Sequence, residues 1–198
     1  MPSPRRTHDT YFRRAKAEGF LARSAYKLIE IDEKFRILGS ARSVVDLGCA
    51  PGSWLQVASM RAASQARILG IDLKPVQHDL GPRVHTIVGD VTRLDCTALP
   101  VQPPFDVVLS DMAPNTSGAG DDLRSATLCR EVLTLLPTLL RPGGSLVMKI
   151  LEGEQTPEVL SETRAVFAQA RMFKPRASRD VSREMFVIGR GYRPGAKR

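Results

Sequence analysis

Six short apolar runs recur along the chain, at 43–47 (SVVDL), 67–73 (RILGIDL), 83–88 (RVHTIV), 105–110 (FDVVLS), 143–150 (GGSLVMKI) and 184–192 (EMFVIGRGY). Between several of them lie stretches of helical character: WLQVASMRAA, DDLRSATLCREVLTLLPTLL and TPEVLSETRAVFAQA. Continuous apolar strands alternating with helices specify a mainly parallel sheet covered by helices on both faces. Pro137 is expected to bend or stop the second long helix. Thr156 followed by Pro157 reads as a cap and first turn, so 156–170 is expected to be one helix. Residues 1–42 read as a basic, mostly helical extension, with Ala25, Leu28, Ile29 and Ile31 at near-helical spacing, and 43–198 as the rest of a single-domain chain.

Open sheets of this kind bind ligands beyond the carboxyl ends of their strands, around the point where strand order reverses. Each residue just past a strand is therefore a site candidate. After the first run comes DLGCAPGSW, with Asp46, Gly48, Gly52 and Trp54. Its glycines permit a tight turn and close backbone approach to a ligand. Their spacing is G-x-x-x-G, which is neither the G-x-G-x-x-G dinucleotide fingerprint nor a triphosphate loop, since no G-K-[ST] follows. Asp46 would repel a pyrophosphate and attract an amino group beside a sulfonium cation, and S-adenosylmethionine carries both. Asp72 ends the second run, where a carboxylate accepts hydrogen bonds from ribose hydroxyls. Asp90 follows the third, placed to hold an adenine amino group. Taken singly, Asp72 reads equally well as a helix cap and Asp90 as a turn residue. Three acids at three successive strand ends point to the cofactor.

The fourth run delivers Asp111 into SDMAPN. Enzymes that methylate exocyclic amines place an aromatic ring after this strand to stack the base, and Asp-Met-Ala-Pro has none. Pyrimidine C5 methylation needs a cysteine nucleophile, and Cys129 falls in the long helix. Methylation of an oxygen is what is left, with Asp111 as a positioner. Lys149 sits in the apolar run SLVMKI, where a lysine is unfavourable unless paired or used. Burial and neighbouring cations can tune such a lysine toward general-base work. A lysine reaching outward from a strand end is the plainer alternative. Lys27 and Glu184 complete a possible constellation.

Charge is unevenly spread. The net charge is +8, but residues 1–27 carry seven Lys/Arg against two acids and residues 171–198 carry nine against two, so the middle is net acidic. Two basic ends on an acidic body form an electrostatic footprint for a polyanion, and Tyr11, Phe12, Phe20, Tyr26 and Tyr192 among the charges favour RNA. Two solvated tails are the bland alternative. Cys49, Cys96 and Cys129 have neither zinc nor disulfide spacing and read as reduced thiols. The N-terminus lacks a secretory signal, no run reaches membrane-spanning length, and cytoplasm is the expected compartment. His8, His78 and His85 are scattered, and no metal site is expected.

At these residues the sequence resembles the FtsJ/RrmJ (RlmE-type) family of ribose 2′-O-methyltransferases. The likeness runs from YFRRAKAEGFLARSAYKL through VVDLGCAPGSW, GIDL, GD, VVLSDMAPNTSG and GGSLVMKILEGE to SREMFVIGRGY. It implies a Rossmann-like, class I S-adenosylmethionine-dependent methyltransferase fold with a mostly parallel seven-stranded sheet. It implies a Lys-Asp-Lys-Glu tetrad at Lys27, Asp111, Lys149 and Glu184, and cofactor positions at Gly52, Trp54, Asp72, Asp90 and Asp111. The implied reaction is 2′-O-methylation of a uridine in the A loop of large-subunit ribosomal RNA, on the assembled subunit, by a monomer. Cys49 and Ser53 stand where the family commonly has Ala and Gly; both are small, so cofactor binding is expected to survive. The arm before Lys27 is short, which keeps transfer RNA open as the substrate. A small-molecule O-methyltransferase would not need such basic ends, and a non-catalytic RNA-binding module would leave Lys149 and Glu184 unexplained.

Overall fold

The computed structural model describes residues 4–114, 120–178 and 182–195; the side chains of residues 4–9, His8 among them, and the end of the SDMAPNTSG motif lie outside the described residues. The chain runs α1 (Pro4–Ala17), α2 (Ala25–Phe35), β1 (Ser43–Leu47), α3 (Ser53–Arg61), β2 (Arg67–Asp72), β3 (Val84–Val88), β4 (Phe105–Ser110), α4 (Asp121–Leu139), β5 (Leu140–Leu151), α5 (Thr156–Val166), β6 (Phe167–Phe173) and β7 (Glu184–Tyr192). The strands form one sheet of order β3-β2-β1-β4-β5-β7-β6. Every pairing from β3 to β5 is parallel, and β7 inserts antiparallel between β5 and β6. Strand order reverses between β1 and β4, which is where sheets of this type bind ligands.

Successive strand residues face opposite sides of the sheet, and both sides are apolar. Val45, Leu47, Leu69, Ile71, Val108, Met148 and Ile150 pack under α4 and α5. Val44, Ile68, Val107, Leu109, Val147, Phe186 and Ile188 pack under α2 and α3. Counting by twos from the second set, Asp46, Lys149 and Glu184 fall on the α2–α3 side. Strand alternation therefore assigns the polar residues to one face before any of their contacts is considered.

One element differs from expectation. The segment 156–170 is not one helix: α5 stops at Val166 and Phe167–Phe173 is the seventh strand, paired with β7. Its sequence, FAQARMF, carries no strong strand signal; a remote partner decides its state. Gly189 has no side chain where a Cβ would stand 2.9 Å from the Phe167 ring. Phe167 fills that space, fully buried and against Tyr192 with ring centroids 5.4 Å apart. As expected, α4 stops near Pro137: it passes through the proline and ends two residues later at Leu139.

The region 1–42 is not uniform. Ala25, Leu28 and Ile31 of α2, with Leu38 and Ala41 after it, are buried in the same core as β1. α1 lies outside that core and reaches the rest through Ala15, which clusters with Tyr26 and Ala177. The Glu30 carboxylate accepts from the backbone N–H groups of Arg176 and Ala177 (2.7 and 2.9 Å), so the basic segment after β6 is tied to α2. The two basic stretches of the sequence thus meet on one side of the molecule. Leu28→Ala, which opens a cavity in a fully buried site, should cost about 2–5 kcal/mol in urea unfolding. Phe12→Ala on α1, where the ring is 60% exposed, should stay within about 0.5 kcal/mol. Equal effects would mean that α2 is no more part of the cooperative core than α1.

Candidate active site

The carboxyl ends of β1, β2, β3 and β4 surround a cleft of about 340 Å³, whose walls include Gly48, Asp72, Lys74, Asp90, Asp111 and Met112. Its turn after β1 is fixed from both sides. The N–H groups of Gly48 and Cys49 donate to the Ile71 carbonyl at 2.8 and 3.2 Å. The Ala50 N–H donates to Asp72 at 2.9 Å, while the other Asp72 oxygen accepts from the Lys74 N–H at 2.8 Å. Gly48 has φ +79°, and a Cβ there would meet Met112 Cγ at 2.5 Å, so only glycine allows the β1 and β4 turns to approach this closely. Asp90 caps the 3-10 turn Val91–Arg93, accepting from both the N–H and the hydroxyl of Thr92 (2.9 and 2.8 Å). Those bonds, the hydroxyl first, hold its carboxyl below the ordinary range.

Asp46, near the cleft residues Asp72 and Asp111, is 1% exposed, and among the described residues neither of its oxygens has a hydrogen-bond partner. Burial, and then the nearby charges of Asp111 and Asp72, push its carboxyl well above the usual carboxylate range. A buried polar group without a partner destabilises a fold, and the penalty is larger for a charge.

On the same face a second group of charges converges. Lys27 Nζ donates to Glu184 at 2.9 Å, joining residues 157 apart in sequence. Lys149 Nζ donates to the Asp111 carbonyl at 2.5 Å and lies 3.0 Å from its carboxylate. The two pairs feel each other. Burial raises the Glu184 carboxyl, but Lys27, and more weakly Lys149, overcome it and leave the group below its ordinary value. Lys149 stands opposite Phe186 in the β5–β7 register, and Lys27 Nζ lies 5.9 Å from that ring's centroid. Both lysines are at least nine-tenths buried, so these cations are placed by the fold.

The structure thus brings together Lys27, Asp111, Lys149 and Glu184, and in the wall of the adjoining cleft Gly48, Asp72, Asp90 and Asp111, with Asp46 buried near Asp72 and Asp111. Like Asp46, Gly52 and Trp54 do not belong to the cleft wall. The Trp54 indole is buried against Phe186 and donates to the Ser24 carbonyl at 2.9 Å. Gly52 caps α3 with φ +112°, and a Cβ there would crowd Leu21, Val76 and Leu80 at 3.1–3.2 Å. Ser24 also accepts from the Lys27 N–H (3.0 Å) and shares a hydroxyl contact with Ser53 (2.8 Å). The first turn of α3 therefore fastens the start of α2, and with it Lys27, to the turn after β1. Lys74 and Met112 of the cleft wall went unremarked in the sequence. The signal was available, since both directly follow strand-end acids within two residues.

A doubly wound sheet with an inserted antiparallel seventh strand, and an acid-lined cleft at its switch point, defines a Rossmann-like class I methyltransferase. Residues 20–192 match the FtsJ-like methyltransferase family. The chain is 43% identical over 184 residues to the ribosomal RNA large subunit methyltransferase E of Desulfatibacillum aliphaticivorans, covering 91% of this chain and 89% of that one. It is 45% identical over 197 residues to the protein of the same name from Acidiphilium cryptum, covering 97% and 86%. A crystal structure of a ribosomal RNA methyltransferase from Plasmodium falciparum superposes with a TM-score of 0.75 at 26% identity, over 87% of this chain and 98% of that one. The chain belongs to the FtsJ-like methyltransferase family. Among the described residues, no helix is long and apolar enough to cross a membrane, and no group of three His, Cys, Asp or Glu is placed to hold a metal ion.

The strained carboxyl gives a test of the cleft. An acid whose folded-state pKa is raised stabilises the native state while protonated. That contribution is complete below the unfolded value near ~3.9 and is lost as pH rises toward the folded value. Ligand-free protein should therefore lose stability with rising pH more steeply than Asp46→Asn, by up to about 1.4 kcal/mol per pH unit within that window. Urea unfolding across a pH series measures the difference. Parallel curves would mean that Asp46 is ionised in the native protein.

Proposed function

We propose that the chain transfers a methyl group from S-adenosylmethionine to the ribose 2′-oxygen of a uridine in large-subunit ribosomal RNA, in the A loop of the assembled subunit. The observation that carries this reading is the meeting of two buried lysines, each paired with a half-buried carboxylate, beside an acidic cleft. The names of the two relatives given above support ribosomal RNA as substrate, as do the joined basic segments next to Lys27 and Glu184.

The cleft fits the cofactor chemically. Asp46, with two unpartnered oxygens, suits an ammonium group, whose arrival would satisfy the oxygens and favour their ionised form. Asp72 and Asp90 are assigned to the ribose and adenine ends, and Gly48 to the close backbone approach between them. Gly52 and Trp54 act by holding the turn and α3, through the Ser24 carbonyl and the packing on Phe186. When bound, the cofactor supplies a methyl group on a sulfonium centre.

Asp111 fixes Lys149 through its carbonyl and carboxylate and sets it at the mouth of the cleft. Lys149 accepts the proton that the 2′-hydroxyl loses as its oxygen takes the methyl group. Lys27 and Glu184 hold the ribose and the position of Lys149. Bringing two reactants into line can supply ~7–11 kcal/mol, and a positioned base ~10²–10⁴ in rate. The Lys149–Asp111 ion pair favours a second role for Lys149, as a fixed cation stabilising the developing alkoxide. Residues of α1 and the basic segment after β6 are assigned to RNA phosphates.

Labelled methyl transfer to assembled large subunits, free ribosomal RNA and transfer RNA, run in parallel, tests the reaction and substrate together. Label in transfer RNA alone, or in none, would overturn the assignment. Lys149→Ala should lower turnover on subunits by roughly 10²–10⁴, with S-adenosylmethionine affinity by calorimetry nearly unchanged. Turnover near wild type would remove Lys149 from the chemistry. In the wild-type pH–rate profile, a rising limb absent from Lys149→Arg marks the base role; a flat profile marks the fixed cation.

A further inference from the structure

At the opposite end of the sheet, where the parallel strands begin, lies a second groove of about 570 Å³. It is lined by Arg42, Arg67 and Arg141, with Ser43, Gln65 and Asp106 among its polar residues. Strand pairing sets the arginines in a row. Arg67 opens β2 beside Ser43 of β1, its N–H donating to the Arg42 carbonyl at 2.9 Å, and Arg141 lies at the start of β5, next to β4. Strands ~4.8 Å apart spread this row over roughly 15 Å.

The acid in the groove is fully engaged by the protein. One Asp106 oxygen accepts from the N–H groups of Arg42 and Ser43 at 2.7 and 3.0 Å, and the other accepts from Arg141 Nε. Burial raises this carboxyl, but Arg141 and the two backbone donors outweigh it and hold it below the ordinary range, so it stays a carboxylate. The side chains of Arg42 and Arg67 are exposed and form no hydrogen bond or ion pair among the described residues. They are therefore available to an external anion. Ala63 and Pro104 are the small apolar contributors, and no aromatic side chain lines the groove. A protein partner would need apolar or aromatic anchors at the centre of such a surface. Phosphate contacts need only basic side chains and backbone or hydroxyl donors.

We infer that this arginine-lined groove is a second RNA-backbone site, binding phosphates of the substrate RNA remote from the nucleotide being methylated. The inference rests on the proposed reaction for the identity of the polyanion. Strands of five or six residues put the groove roughly 15–20 Å from the cleft. A short RNA seated at the active site does not reach it, and a large folded RNA does.

The test is fluorescence anisotropy of the full chain with two probes, a short oligonucleotide and a large-subunit ribosomal RNA fragment of several helices, over a salt series. Arg42→Gln combined with Arg67→Gln should weaken binding of the long RNA roughly tenfold at low salt. It should also make the log–log salt dependence shallower by about 1.5, two phosphate contacts' worth. Affinity for the short probe, melting temperature and turnover at saturating subunits should not change. Arg42→Lys with Arg67→Lys should restore most of the loss. Unchanged long-RNA affinity and slope in the glutamine variant would overturn the inference. So would a loss seen with assembled subunits and not with naked RNA, which would point to an acidic ribosomal protein. Wild-type protein that binds long RNA in this groove-dependent way yet methylates nothing would sink the reaction assignment and leave the groove standing.

Discussion

Leu47 of β1 lies opposite Ser110 of β4 in parallel register, and the site follows from that pairing. Two parallel neighbours both end at the same edge, so the turns that leave them meet in space. Asp46 and Gly48 then stand beside Asp111 and Met112, and the crossovers leave for opposite sides of the sheet, opening the cleft between them. An antiparallel pairing of the same strands would put the two turns at opposite edges. Closeness has a condition of its own: the Met112 side chain occupies the space that any Cβ at residue 48 would need. Period-two alternation does the rest, by turning Asp46, Lys149 and Glu184 toward α2 and α3.

That face is electrostatically frustrated as it stands. Among the described residues Asp46 is buried without a hydrogen-bond partner, near two other carboxylates, while two buried lysines are each matched to an acid of their own. Locally inconsistent chemistry inside an otherwise consistent fold is characteristic of functional sites, where stability is given up for a ligand. Lys27 and Lys149 could neutralise Asp46 only by leaving Glu184 and Asp111. The fold instead keeps each lysine with its own acid and, among the described residues, leaves Asp46 without a partner.

What could be read from the chain alone was what local sequence determines. Acids closing apolar strands were visible as such, because strand length and turn chemistry are short-range properties. β6 was not visible: FAQARMF continues a helical pattern, and its extended state depends on Gly189 and Tyr192, some twenty residues away and across a loop. Trp54 sits beside the glycine turn in sequence, but its indole turns into the core to reach Ser24. The burial of α2 was half legible, since its apolar spacing was plain while the sheet face that covers it was not. Lys27 and Glu184 could be singled out as candidates, but only a family resemblance joined them in a tetrad; no local pattern links residues 157 apart. Contacts of that span are written in the topology, which a linear pattern specifies only through strand order.

Parallel strands have a direction, and that gives this sheet two chemically different edges. Where the strands end, backbone turns present acids: Asp46, Asp72, Asp90 and Asp111. Where β2 and β5 begin, Arg67 and Arg141 stand, with Arg42 just ahead of β1, and the acid among them is consumed in fixing the row. A small cation would be drawn to the first edge and repelled from the second. A large polyanion experiences the reverse, and meets the acidic edge only where Lys27, Lys149 and the joined basic segments mask it. Over distances beyond the ~8–10 Å Debye length the two fields act independently, so a small cation and a polyanion would not compete for the same charges. Net charge alone, +8 spread evenly, would give neither ligand a preferred approach. Separation of sign along the strand direction supplies that preference, and it is a consequence of the same parallel pairing that built the cleft.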